Sequence, residues 1–112
     1  MKLEQSNRSK KIKQILKKYE IPLHTDAVQA LGKIKVDVKE LDVDYLSLSA
    51  HKFYGPKGIG ALYVKNKDDL GSLIIGGNQE SGVRGGTENI SGIIGMGLAA
   101  ELVTKIHDRW IK

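Results

Sequence analysis

At 112 residues the chain has room for one domain or part of one, and its 40% hydrophobic and 28% charged residues describe a globular chain rather than a disordered one. It contains no cysteine, which excludes a disulfide framework, a thiolate metal site and a cysteine nucleophile within these residues, and no apolar run approaches the roughly 18 residues of a membrane span. The formal charge of +5 is lopsided: residues 1–18 hold seven basic groups and one acid, while the remainder sums to −1.

Ile12, Ile15, Leu16 and Tyr19 recur at helical spacing and predict a helix over about Ser9–Tyr19, with the lysines on its other, solvated face. That reading accounts for the basic excess without a nucleic-acid partner. Pro22 breaks the helix, and Ile21–Thr25 reads as a short strand ending in Asp26. Residues 27–32 form a turn or short helix stopped by Gly32, and Val38–Leu41 is a helical turn. Asp44–Ser49 is a second strand, followed by the polar turn AHKFYGPKG. The Gly-Pro signals there predict a tight reversal into a third strand, Gly60–Val64. Asp68–Leu70 is one helical turn, and residues 76–89 form a glycine-rich loop. A long helix follows from about Asn89 to Trp110, capped by Thr87 or Asn89, with Ile90, Ile93, Ile94, Leu98, Leu102 and Ile106 at helical spacing. Gly92, Gly95 and Gly97 each cost that helix about 1 kcal/mol against alanine, so they are assigned to close packing.

This order of elements predicts an α/β fold, with enough chain between Thr25 and Asp44 for a crossover between parallel strands. Ligands of such sheets collect beyond the carboxyl ends of the strands. Asp26 closes one strand, and Ser49, His51 and Lys52 close the next, so polar groups converge on one edge. Lys52 reads either as a surface lysine or as a Schiff-base amine. Asp26 reads either as a turn cap or as the acidic partner of a protonated ring nitrogen. His51 reads as a structural histidine or, with Ser49 and the Gly55–Gly60 turn, as part of a phosphate cradle. GPKGIG does not fit a nucleotide P-loop, which needs GxxxxGK[ST] opening a helix.

HTDAVQALGK, then SAHKFYGPKGIGALYV, then GGNQESGVRGGTEN resemble the class V aminotransferases, and within them the cysteine desulfurases of the NifS/IscS branch. The resemblance runs from about Ile12 to Leu102. It implies part of the large domain of the fold type I transferases that depend on pyridoxal 5′-phosphate (PLP), a mainly parallel sheet with flanking helices, spanning residues 1–112. It further implies that Lys52 binds PLP and moves the substrate α-proton, that Asp26 pairs with the pyridinium nitrogen, and that Gln29 bonds the ring's 3′-oxygen. Ser49 and His51 would hold the phosphate, and Thr87 would reach the phosphate of a partner subunit. Glu80 and Arg84 are expected to order their loop. The family releases sulfur from L-cysteine as an enzyme persulfide and leaves alanine, in the service of iron–sulfur cluster assembly.

Without a cysteine these residues cannot carry the persulfide, and the family's substrate arginine lies downstream of the RGGT loop. The chain is therefore expected to be an internal segment, inactive by itself. An incomplete sheet leaves unpaired edges and one apolar helix face, so a homo-oligomer or a complementing chain is expected. A sulfur-acceptor scaffold protein is the further partner the resemblance implies; a membrane is not expected, no metal is assigned, and the compartment expected is the cytoplasm. The rival readings are a non-catalytic interaction module and another class V enzyme such as a selenocysteine lyase.

Overall fold

The structure, a computed structural model, describes residues 2–110. The side chains of Lys2 and Lys10 lie outside the described residues, and so does their expected place on the solvated face of the first helix.

That helix, α1, spans Lys2–Lys17, longer at its start than the apolar spacing predicts. Its end is closed by backbone geometry: the Ile21 N–H donates to the Leu16 carbonyl at 3.1 Å and the Glu20 N–H to the Lys17 carbonyl at 3.4 Å, while Glu20 turns left-handed at φ 54°. Strand β1, His24–Asp26, begins later than the expected Ile21. Pro22 has no N–H to offer a ladder. The Leu23 N–H is taken by the Asp44 carboxylate at 2.7 Å, and its carbonyl receives the Asp44 and Tyr45 N–H groups. The short helix α2, Val38–Leu41, is capped by Asp37, whose carboxylate accepts from the N–H groups of Lys39 and Glu40.

Strand β2 (Tyr45–Ser49) runs in the centre of a three-stranded sheet, with β1 parallel on one side and β3 (Gly60–Val64) antiparallel on the other. The parallel pair follows from the long crossover, and the antiparallel pair follows from the reversal through Gly55–Gly60. A single 3₁₀ turn, Ala50–Phe53, joins β2 to that reversal. After β3, two more 3₁₀ turns at Lys67–Asp69 and Gln79–Gly82 lead into α3, Ile90–Trp110. Asn89 supplies its cap, its Oδ1 accepting the Gly92 N–H at 3.0 Å.

Two apolar clusters hold these elements. Ala27, Val43 and Leu46 form one, under α2; Ala50, Phe53, Ala99 and Val103 form the other, where α3 crosses the 3₁₀ turn. Leu48 packs against both.

Both long helices turn differently from the way their apolar spacing suggests. Ile12 and Ile15 on α1, and Tyr19 in the turn after it, are exposed, while Lys13 is buried against Asp44. The expectation that the lysines share the solvated face is corrected at Lys13, because an ion pair with hydrogen-bonded geometry offsets the cost of burying its ammonium. On α3, the packed arc is Gly92, Met96, Ala99 and Val103, and the ridge Ile90, Ile94, Leu98, Leu102 and Ile106 faces outward. Gly95 packs closely as expected, for a Cβ there would lie 3.1 Å from Pro56 Cγ, but Gly97 has open space beside it.

Candidate functional site at the strand ends

Side chains alternate along a strand, so the register sorts the sheet into two faces. Thr25, Leu46, Leu48 and Tyr63 share one, which carries the core. His24, Asp26, Tyr45, Ser47, Ser49 and Leu62 share the other. That second face grows polar toward the carboxyl ends of β1 and β2, where Asp26 is exposed and Ser49 half-buried.

Asp26 ends β1 in a tight local turn, its Oδ1 accepting the Val28 N–H at 2.9 Å. Ser49 ends β2, and its Oγ shares a 2.8 Å hydrogen bond with His51 Nδ1. The 3₁₀ turn that follows divides its side chains: Ala50 and Phe53 are wholly buried, and His51 and Lys52 are exposed. Two backbone bonds clamp the turn, from the Ala50 N–H to Ile59 O at 3.1 Å and from the Gly55 N–H to Ala50 O at 2.9 Å, and Tyr54 closes it in the left-handed region at φ 68°. Gly55 is required there, because a Cβ would come within 2.9 Å of Ala50 Cβ. The result is a rigid platform presenting an imidazole and an amine beside the carboxyl end of β1.

The parallel pairing therefore gathers Asp26, Ser49, His51 and Lys52 at one edge. Gln29 lies just beyond Asp26 and its Oε1 accepts from the Lys33 ammonium at 2.9 Å. Thr87 is exposed in the 76–89 loop. In that loop Arg84 donates to the Gly85 carbonyl at 3.1 Å, Gln79 Oε1 accepts the Gly86 N–H at 3.2 Å, and Glu80 contributes a left-handed backbone at φ 49°.

Two polar features escaped the sequence reading. His24 Nε2 and Ser47 Oγ share a hydrogen bond of 2.6 Å on the face that carries Asp26 and Ser49. The signal was present, since His24 precedes Asp26 by two residues and Ser47 precedes Ser49 by two, the period of one strand face. The Lys13–Asp44 pair joins residues far apart in sequence and gives no local pattern.

The donor set suits PLP: a carboxylate for a cationic ring nitrogen, a hydroxyl and an imidazole for a phosphate, and an exposed amine for an aldehyde. A wide depression of about 680 Å³ lies elsewhere, on α1 among Lys11, Gln14, Ile15, Lys17 and Lys18, and none of the candidate residues lines it. It is an open trough beside a helix, apart from the strand-end cluster. Among the described residues no cluster of His, Asp and Glu is arranged to hold a metal ion, and no helix is long and apolar enough to cross a membrane.

Residues 5–111 match the protein-family model described as aminotransferase class-V. A cysteine desulfurase IscS of Dictyoglomus turgidum is 55% identical over 101 residues, 90% of this chain and 26% of that protein. A mitochondrial cysteine desulfurase of Arabidopsis thaliana is 50% identical over 103 residues, 88% of this chain and 23% of that protein. A solved NifS-like protein superposes with a TM-score of 0.82 at 44% identity, over 87% of this chain and 27% of that one. SspA in complex with cysteine superposes with a TM-score of 0.74 at 50% identity, over 79% of this chain and 26% of that one. The chain spans about a quarter of the length of the curated relatives it matches. The expected α/β architecture of fold type I stands with these neighbours, and the curated homologues are cysteine desulfurases.

Proposed function

The chain belongs to the class-V aminotransferase family, and on that premise we propose that it is the cofactor-anchoring segment of a PLP-dependent cysteine desulfurase, forming part of the large domain. The observation that carries the reading is the convergence of Asp26, Ser49, His51 and Lys52 at the carboxyl ends of two adjacent parallel strands. PLP, when bound, supplies an electron sink for a carbanion at the substrate α-carbon.

The residues divide that work by their chemistry. Lys52 offers an amine from a clamped turn, first as covalent anchor and then as the base that takes the α-proton, which requires its neutral form. Asp26 presents a carboxylate that stabilises positive charge on the ring nitrogen. Ser49 and His51, already joined, offer donors to a phosphate. Gln29 offers its side-chain Nε2 as donor to the ring's 3′-oxygen while its Oε1 accepts from Lys33, and Thr87 serves the phosphate of a partner subunit. L-Cysteine is the substrate of this reading, and a sulfur-acceptor scaffold in the cytoplasm takes the product sulfur.

Because these residues include no thiol, sulfur has no acceptor on them, and the 112 residues do not turn over cysteine alone. The outward ridge of α3 supports a homo-oligomer or a complementing chain as the functional state. The test is to mix the purified chain with PLP, reduce with borohydride and map the modified residue by mass spectrometry. A yellow colour that borohydride bleaches, leaving a stable pyridoxyl group on Lys52 that is lost in Lys52→Ala, is the expected result. Labelling spread over several lysines, or sustained release of sulfide from cysteine by this chain, contradicts the reading.

A further inference from the structure

We infer that His24 and Ser47 form a positioning pair that fixes the carboxylate of Asp26; the inference rests on the PLP reading above. The register makes Ser47 the cross-strand partner of Asp26, and His24 lies two residues before Asp26 on the same face. His24 Nε2 and Ser47 Oγ are 2.6 Å apart, so a side-chain hydrogen bond crosses from β1 to β2 directly behind Asp26. A serine hydroxyl is otherwise a free rotor. The imidazole orients this one on the sheet face that carries Asp26.

Asp26 then has a defined neighbour on two sides. Its Oδ1 accepts the Val28 N–H on the far side of the turn at 2.9 Å. On the strand side its cross-strand neighbour is Ser47, whose hydroxyl His24 orients. A carboxylate whose swing about its last torsion is limited in this way meets a ring nitrogen without reorganising. A second serine–histidine pair lies two residues on along β2, where Ser49 and the following turn's His51 are joined at 2.8 Å. One strand thus carries two serine–histidine pairs on one face, the second at the edge proposed for phosphate and the first behind the edge proposed for the ring.

The test uses the whole chain and the variants His24→Ala, His24→Gln and Ser47→Ala. The Val28 amide reports the Asp26 carboxylate directly, so its NMR shift is read without cofactor, with the Gly92 amide at the Asn89 cap as the internal control. His24→Ala and Ser47→Ala move the Val28 resonance and leave Gly92 in place, and they weaken PLP binding, read by absorbance, about fivefold, the worth of one net hydrogen bond. His24→Gln, whose amide still reaches a hydroxyl, restores both. An unmoved Val28 amide overturns the inference, and so does a PLP affinity that falls equally in His24→Gln and His24→Ala. Should the wild-type chain fail to bind PLP, the cofactor reading fails while the Val28 comparison still decides whether the pair holds Asp26. Should His24→Ala unfold, Ser47→Ala and His24→Gln carry the same comparison.

Discussion

Among the described residues Lys13 is the basic side chain that the structure buries, and its partner Asp44 does two tasks at once. The carboxylate receives the Lys13 ammonium from α1 and the Leu23 N–H from the segment entering β1, so one side chain ties the helix to the sheet. Truncation as Lys13→Ala leaves Asp44 half-satisfied and costs about 1–3 kcal/mol, measurable as a lower urea midpoint. Burial pushes the Asp44 carboxyl up, but the hydrogen bonds from Lys13 and Leu23 and the nearby Lys13 and Lys65 charges outweigh it and hold the group below its ordinary 3.8. A carboxyl lowered in the folded state binds protons more readily when unfolded. Its stabilisation is therefore complete above pH 3.8 and is lost as the pH falls through the lower folded value. Urea titrations at neutral and strongly acidic pH check this: the acid loss shrinks in Asp44→Asn, and an unchanged loss contradicts the assignment.

Among the elements, α3 depends on its first turn. Asn89 Oδ1 accepts the Gly92 N–H, and the Asn89 carbonyl takes the Ile93 N–H at 2.9 Å. Asn89→Ala is expected to cost about 1 kcal/mol, seen as a lower midpoint in thermal circular dichroism. The cap was legible in sequence because it is local, as were α2, β2 and β3, whose signals sit within the elements themselves. The start of β1 was not, since it is decided by the distant Asp44 carboxylate taking the Leu23 N–H. The faces of α1 and α3 were hidden as well. On α1 the distant Asp44 carboxylate draws Lys13 inward; α3 is apolar on more than one side, periodicity cannot choose between two apolar faces, and packing sets the small Ala99 against the 3₁₀ turn. At the site, Asp26, Ser49, His51 and Lys52 were readable as strand-end residues, while the His24–Ser47 bond needed the register of two strands.

The whole molecule is a slab, with principal extents of 42 × 39 × 16 Å and a radius of gyration of 15.5 Å, against about 13 Å for a compact chain of this length. One sheet with its helices makes that thickness, and the cost is an uncovered apolar surface. Leu98 stands at the middle of the outward α3 ridge and is 56% exposed. Placing a charge there as Leu98→Glu opposes burial of the ridge against another surface, so the variant is expected to run as a smaller species than the wild-type chain in size-exclusion chromatography with light scattering. Equal masses for the two proteins argue against the ridge as a contact. Inside the slab, Leu48 belongs to both clusters of the core. Melting of either half strips contacts from the same leucine, which makes the two halves interdependent. Calorimetry should record a single peak whose van't Hoff and calorimetric enthalpies agree, and Leu48→Ala should split or broaden it.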